Sequence, residues 1–189
     1  MMTAIKVLRL RTFLSALGLT LLTVAASAQT PLSYTEDGKT HFTVSVPDFW
    51  EVRVGGPRIL IPKGEDAERE VARVFGLKPK SADTVWIGFI VPRGVRTLEE
   101  GADYVREIGP HLVRDPVVTK REVRRIGGRT AHSITGKGRR GGRGVQFTAV
   151  LIDLPGPHVA FSVTVLENGF DPDLLGGINS VYDSFRAGQ

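Results

Sequence analysis

The run GVQFTAVLIDLPGPHVAFSVTVLEN, Gly144 to Asn168, reads as two long β-strands joined at Leu154-Pro155-Gly156-Pro157. In the second strand Val159, Phe161, Val163 and Val165 alternate with Ala160, Ser162 and Thr164, the period of two expected of a half-buried strand. In the first, Val145, Phe147, Ala149 and Leu151 share one face, while Val150 and Ile152 share the other. Upstream, Glu122–Ile126 and Arg129–Thr135 flank Gly127-Gly128, a two-residue hairpin signal. Gly136 to Gly144 then links that hairpin to the long pair, so four successive antiparallel strands are predicted.

Working outward, Phe42, Val44 and Val46 mark a strand that Pro47 ends, since proline cannot donate to a ladder. Trp50, Val52 and Val54 mark a second strand, and Arg58–Ile61 a short third. Gln29–Thr40 reads as a polar leader without fixed structure. Lys63–Thr84 is ambiguous between helix and strand around Asp66–Phe75 and is expected to be an exposed, partly ordered insertion. VWIGFIV, Val85 to Val91, is apolar on both faces and predicts a central strand covered on both sides. Thr97-Leu98-Glu99-Glu100 is a capping box, and Leu98, Ala102, Val105 and Ile108 fall at helical spacing. Gly109-Pro110 is the expected stop. A closing helix is predicted from an Asp171 N-cap and Pro172, with Leu174, Leu175, Ile178, Val181, Tyr182 and Phe185 as its apolar stripe.

Met1–Arg11 carries Lys6, Arg9 and Arg11 with no acid, Phe13–Ala25 is apolar, and Ala26-Ser27-Ala28 is a small-x-small site. These three regions predict a secretory signal peptide over residues 1–28, cleaved after Ala28. The apolar run is shorter than the ~20 residues a span needs. The expectation is therefore a periplasmic or secreted protein, not membrane-spanning after cleavage, with one domain over residues 29–189. There are no cysteines, so neither disulfides nor thiolate metal sites can form.

Several of these features together resemble the PsbP-like fold. Phe42–Pro47 followed by Trp50-Glu51-Val52 is similar to its strand–proline–tryptophan–strand opening. Thr97–Ala102 is similar to its helix start, Ile126–Ala131 to its glycine hairpin, and Ile178–Arg186 to its terminal helix. The resemblance covers about Phe42 to Arg186. It implies an α+β fold, with an antiparallel sheet of six to seven strands and helices on both faces. It also implies a protein that binds partners and is not an enzyme.

The net charge is +5, but it is unevenly spread: residues 119–144 hold nine basic groups and one acid. Within that segment Gly136–Gly144 combines five glycines with Lys137, Arg139, Arg140 and Arg143. Glycines free backbone N–H groups to turn toward an anion, and arginine grips phosphate or carboxylate bidentately. The expected role is docking on an envelope protein or on an anionic lipid or polysaccharide. The bland alternative is a solvated loop whose charges only keep it soluble. Gly136-x-Gly138-x-x-Gly141 also spells the dinucleotide fingerprint, but it joins two strands, whereas that site must lead from a strand into a helix. Nucleic acid is not expected, because the run lacks interleaved aromatics.

His41, His111, His132 and His158 show no ligand spacing, although His132 and His158 fall in neighbouring regions of the predicted sheet. Neither metal nor cofactor is expected. Ser45, Ser133 and Ser162 sit in strands without a nucleophile motif, and Trp50 and Trp86 read as core anchors. Two further readings remain. One is a small-molecule or lipid carrier with a pocket between sheet and helices. The other is a hydrolase, for which no nucleophile–base pair can be named.

Overall fold

The computed structural model describes residues 28–56, 58–60, 69–71 and 73–189. The predicted signal peptide, up to Ser27, the end of the predicted third strand at Ile61, and residues 63–68 and 72 of the ambiguous segment lie outside the described residues.

The predicted pair at Gly144–Asn168 forms as β10 (Arg143–Asp153) and β11 (Val159–Glu167), in antiparallel register with Ala149 opposite Val163. To label the rest in chain order, β1 is Gln29–Glu36, β2 Lys39–Pro47, β3 Trp50–Val54, β4 Arg58–Leu60, β5 Arg69–Val71, β6 Phe75–Pro79, β7 Val85–Ile90, β8 Arg114–Ile126, β9 Arg129–Arg140 and β12 Arg186–Ala187. The helices are α1 (Leu98–Leu112) and α2 (Leu174–Asp183). A seven-stranded antiparallel sheet has the order β3-β6-β7-β11-β10-β9-β8, and a three-stranded sheet the order β1-β2-β12. The four successive strands β8 to β11 are a meander, as predicted.

Two cores result, one on each face of the large sheet. Val145, Phe147, Ala149 and Leu151 of β10 meet Tyr104 and Ile108 of α1. Val150 and Ile152 face the other way, toward α2 and the small sheet, with Phe42, Ile178, Val181 and Phe185. The sheet is therefore covered by a helix on each face, the α+β layout expected.

Several expectations need correction. Residues 29–36 are not a loose leader: they form β1, paired with β2 across an Asp37-Gly38 turn, and Tyr34 is buried against Phe42 and Phe75. Nor is all of 63–84 an exposed insertion. Phe75–Pro79 is an interior strand between β3 and β7, and Leu77 is fully buried. The β11 strand is not half-buried. Its polar face packs under α2, where Ser162 and Thr164 reach the Tyr182 hydroxyl at 2.8 and 2.9 Å. That pairing satisfies hydroxyls that burial would otherwise penalise.

The capping box at Thr97 and Glu100 forms, but α1 runs through Gly109-Pro110 to Leu112. Proline removes one N–H from the ladder without forcing an immediate stop so close to the helix end. At α2 the N-cap is Asp173, not Asp171. The Asp171 carboxylate instead accepts the Asp173 N–H at 3.0 Å, a turn one step earlier. Gly177 lets α2 approach Trp50 closely: a Cβ there would lie 2.9 Å from Nε1 of Trp50.

His158 meets His41, not His132. The rings are edge-to-face with centroids 4.7 Å apart, because His41 of β2 folds over the β10–β11 turn. His132 lies on β9, opposite Leu151. Burial first, then the neighbouring His158, pushes the His41 imidazole below its ordinary value. The unfolded chain therefore takes up this proton at a higher pH than the folded one. The stability it contributes is present above the ordinary imidazole value and is lost as pH falls through the folded one. Urea unfolding followed from pH 7.5 to 5 should show declining stability, and His41→Gln should flatten that slope.

Candidate functional site

The basic segment is not a loop. Ladder pairing continues through it, from Gly136 opposite Phe147 to Arg140 opposite Arg143. Only Gly141-Gly142 turns, both with positive φ (56° and 84°), the two-residue geometry that suits a twisted hairpin. The backbone N–H groups expected to cradle an anion are in large part committed to the sheet.

Strand parity then divides the four predicted side chains. Lys137 and Arg139 share the α2 face with Ala131, whereas Arg140 and Arg143 share the α1 face with Trp86 and Val145. Lys137 and Arg139 are exposed, and Arg139 donates to the Gly142 carbonyl at 3.3 Å. Arg143 is held by Glu167 at 2.7 Å, which raises its pKa. The Arg140 guanidinium lies over the Trp86 ring, 4.9 Å from its centroid, and burial lowers its pKa against the opposing pull of Glu167. Trp50 is a core anchor as predicted. Trp86, half-buried, instead forms a wall of a cleft of about 430 Å³ that also holds Arg53, Lys78, Asp83 and Arg140.

Three further cations belong to the same region and were missed as site residues. Arg121, Arg124 and Arg125 project from β8, which ends the seven-stranded sheet. They lie within the basic stretch of residues 119–144 but outside the predicted site at Gly136–Gly144. Arg124 lies over the Tyr182 ring at 5.7 Å, and Arg125 donates to the Gly128 carbonyl at 2.9 Å. Lys120 pairs with Glu122 at 2.5 Å. Among the described residues, Arg121, Arg124, Arg125, Lys137 and Arg139 have no carboxylate within ion-pair distance.

A second feature lies on the α1 face. Beneath the helix and beside β8–β11 is a cavity of about 400 Å³ with a mostly apolar wall. Among the described residues no group of three or more His, Asp or Glu could hold a metal. No helix among them is long and apolar enough to cross a membrane.

No family model matches the sequence, and no curated protein matches it. Among solved structures the chain is similar to a cyanobacterial PsbP from Synechocystis sp. PCC 6803. Identity is 16%, with 87% of this chain and 95% of that chain covered and a TM-score of 0.47. It is also similar to LpqN of Mycobacterium tuberculosis, described as involved in cell envelope biogenesis (12%, 86% and 91%, TM-score 0.44). A third is the Pseudomonas aeruginosa protein PA94, of unknown function and a putative regulator (14%, 82% and 94%, TM-score 0.43). These are likenesses of overall layout, and the functional reading rests on the residues themselves.

Proposed function

We propose that this protein is an exported, non-catalytic binding protein of the cell envelope. It docks edge-on on an anionic lipid or polysaccharide surface through the rim formed by β8, β9 and the β9–β10 turn. The observation that supports this is the set of exposed cations on that rim without a carboxylate partner among the described residues: Arg121, Arg124, Arg125, Lys137 and Arg139. Because alternate residues of a strand point to opposite faces, these cations flank the sheet edge on both sides. A one-sided patch would suit face-on contact; cations on both sides of an edge suit contact along the edge. Arg140 and Arg143, on the α1 face, add to the field there even though Trp86 and Glu167 already engage them.

A plain structural account exists for β8, since charged residues keep a long edge strand from pairing with other chains. That account needs charge of either sign. It does not explain why the cations so outnumber the acids between residues 119 and 144.

Each Lys or Arg near an anionic membrane contributes about 1 kcal/mol at moderate ionic strength. Changing Arg124, Arg125, Lys137 and Arg139 together to Gln should therefore weaken binding to phosphatidylglycerol-containing vesicles at least ~100-fold. Co-sedimentation at low salt measures this, with phosphatidylcholine vesicles as the uncharged control. Retained binding by the folded variant would exclude the rim. Absence of vesicle binding by the wild-type protein, with capture of an acidic protein instead, would replace the surface with a protein partner.

A further inference from the structure

We infer that the cavity between α1 and the large sheet binds a single-chain amphiphile with an acidic head group. The chain lies beneath α1 and the head sits at Arg121. This inference is independent of the docking rim, except that Arg121 belongs to both.

The cavity has an origin in residue size. Tyr104 and Ile108 seat α1 on β10 and β11, where Phe161 meets Tyr104 edge-to-face. Ala102, Val105 and Gly109 face the neighbouring part of the sheet, and two of them are too small to reach it. Beyond its own helix turn, a Cβ built on Gly109 meets no atom of the described residues within 4 Å. The floor carries Ile134, Phe147 and Ala149, and Ala149 is again small. The helix therefore spans a gap that neither side fills. Its volume of about 400 Å³ lies within the range of ligand pockets. At the ~30 Å³ that one water occupies in the liquid, it holds roughly a dozen methylene groups. An apolar cavity offers water few of the two to four polar partners it needs, so a hydrocarbon suits it better.

The head group follows from the charged lining. Among the described lining residues only Arg106 and Arg121 carry charge, and neither is acidic. Arg106 is paired with Asp103 on its own helix. Arg121, opposite Ile134 in the β8–β9 ladder, is exposed and has no ion-pair partner among the described residues. A carboxylate or phosphate head at the mouth would complete it, while a cationic head would be repelled by both arginines.

Isothermal titration of the mature protein with dodecanoic acid and with 1-dodecanol tests the assignment. The acid should bind one per chain and at least tenfold more tightly than the alcohol. Arg121→Gln should bring the two affinities together while leaving alcohol binding in place. Ala149→Phe should abolish both. Gly109→Leu, at a position with open space, gives a second plugged variant whose near-UV circular dichroism should match the wild type. The inference is overturned by no saturable binding of either compound to the wild-type protein. Equal affinities for acid and alcohol, or unchanged binding in the folded Gly109→Leu protein, would overturn it as well.

Discussion

Replacing Phe185 with Ala should lower the unfolding free energy by about 3–5 kcal/mol, the range for a large aromatic removed from a close-packed core. Phe185 is fully buried where α2 gives way to β12. Its ring stacks on Phe42 with centroids 5.2 Å apart, and Phe42 stacks in turn on Tyr34 and packs against Phe89. This chain of rings joins the three-stranded sheet to the seven-stranded one, so the loss falls on the contact between sheets and not on one element. For a chain of this size the melting temperature should drop by roughly 6–20 °C. Thermal and urea melts measure it, and a loss under ~1 kcal/mol would mean that the two sheets are held together elsewhere.

Gly127→Ala should cost nearly as much, about 3 kcal/mol, although it adds only one methyl group. Gly127 and Gly128 make the β8–β9 turn, with φ of 55° and 79°. Alanine at positive φ carries a strain of ~1–2 kcal/mol at either position. At Gly127 the new Cβ would also sit 2.4 Å from the Phe185 carbonyl oxygen, a backbone atom that cannot swing aside. At Gly128 a Cβ meets nothing within 4 Å. The pair is therefore an internal control. Gly128→Ala should show the conformational strain alone, and Gly127→Ala the strain plus the displacement of β12 and Phe185. Equal losses at the two positions would show that the contact with Phe185 carries no weight.

What could be read in advance depended on how loudly local pattern speaks. Val145 to Val165 declares its strands because apolar residues alternate over a long run, and Thr97-Leu98-Glu99-Glu100 declares its helix because the cap chemistry is local. β1 was hidden because Leu32 and Tyr34 are its main apolar residues, set among Pro31, Ser33 and Thr35, and its strand character comes from pairing with β2. β6 was hidden for a similar reason, since Gly76 and Pro79 mask the alternation of Phe75 and Leu77.

The candidate site was half legible. The excess of positive charge between residues 119 and 144 is visible in the letters alone. The side to which each charge points is not, because treating Gly136–Gly144 as a loop discards strand parity. Once ladder pairing reaches Arg140, Lys137 and Arg139 must part company with Arg140 and Arg143. The cavity under α1 was not legible as residues at all. It arises where Ala102 and Gly109 on a helix face Ala149 on a strand, a coincidence of small side chains that only the packed molecule brings together.

The claim that the basic rim is the docking surface is tested most directly by amide hydrogen exchange with and without phosphatidylglycerol vesicles. Edge-on docking predicts slowed exchange along Val117–Arg125 of β8 and at the Gly141-Gly142 turn, reversed by high salt as surface charges are screened. Slowed exchange confined to β1, β3 or α2, with β8 unchanged, would contradict it.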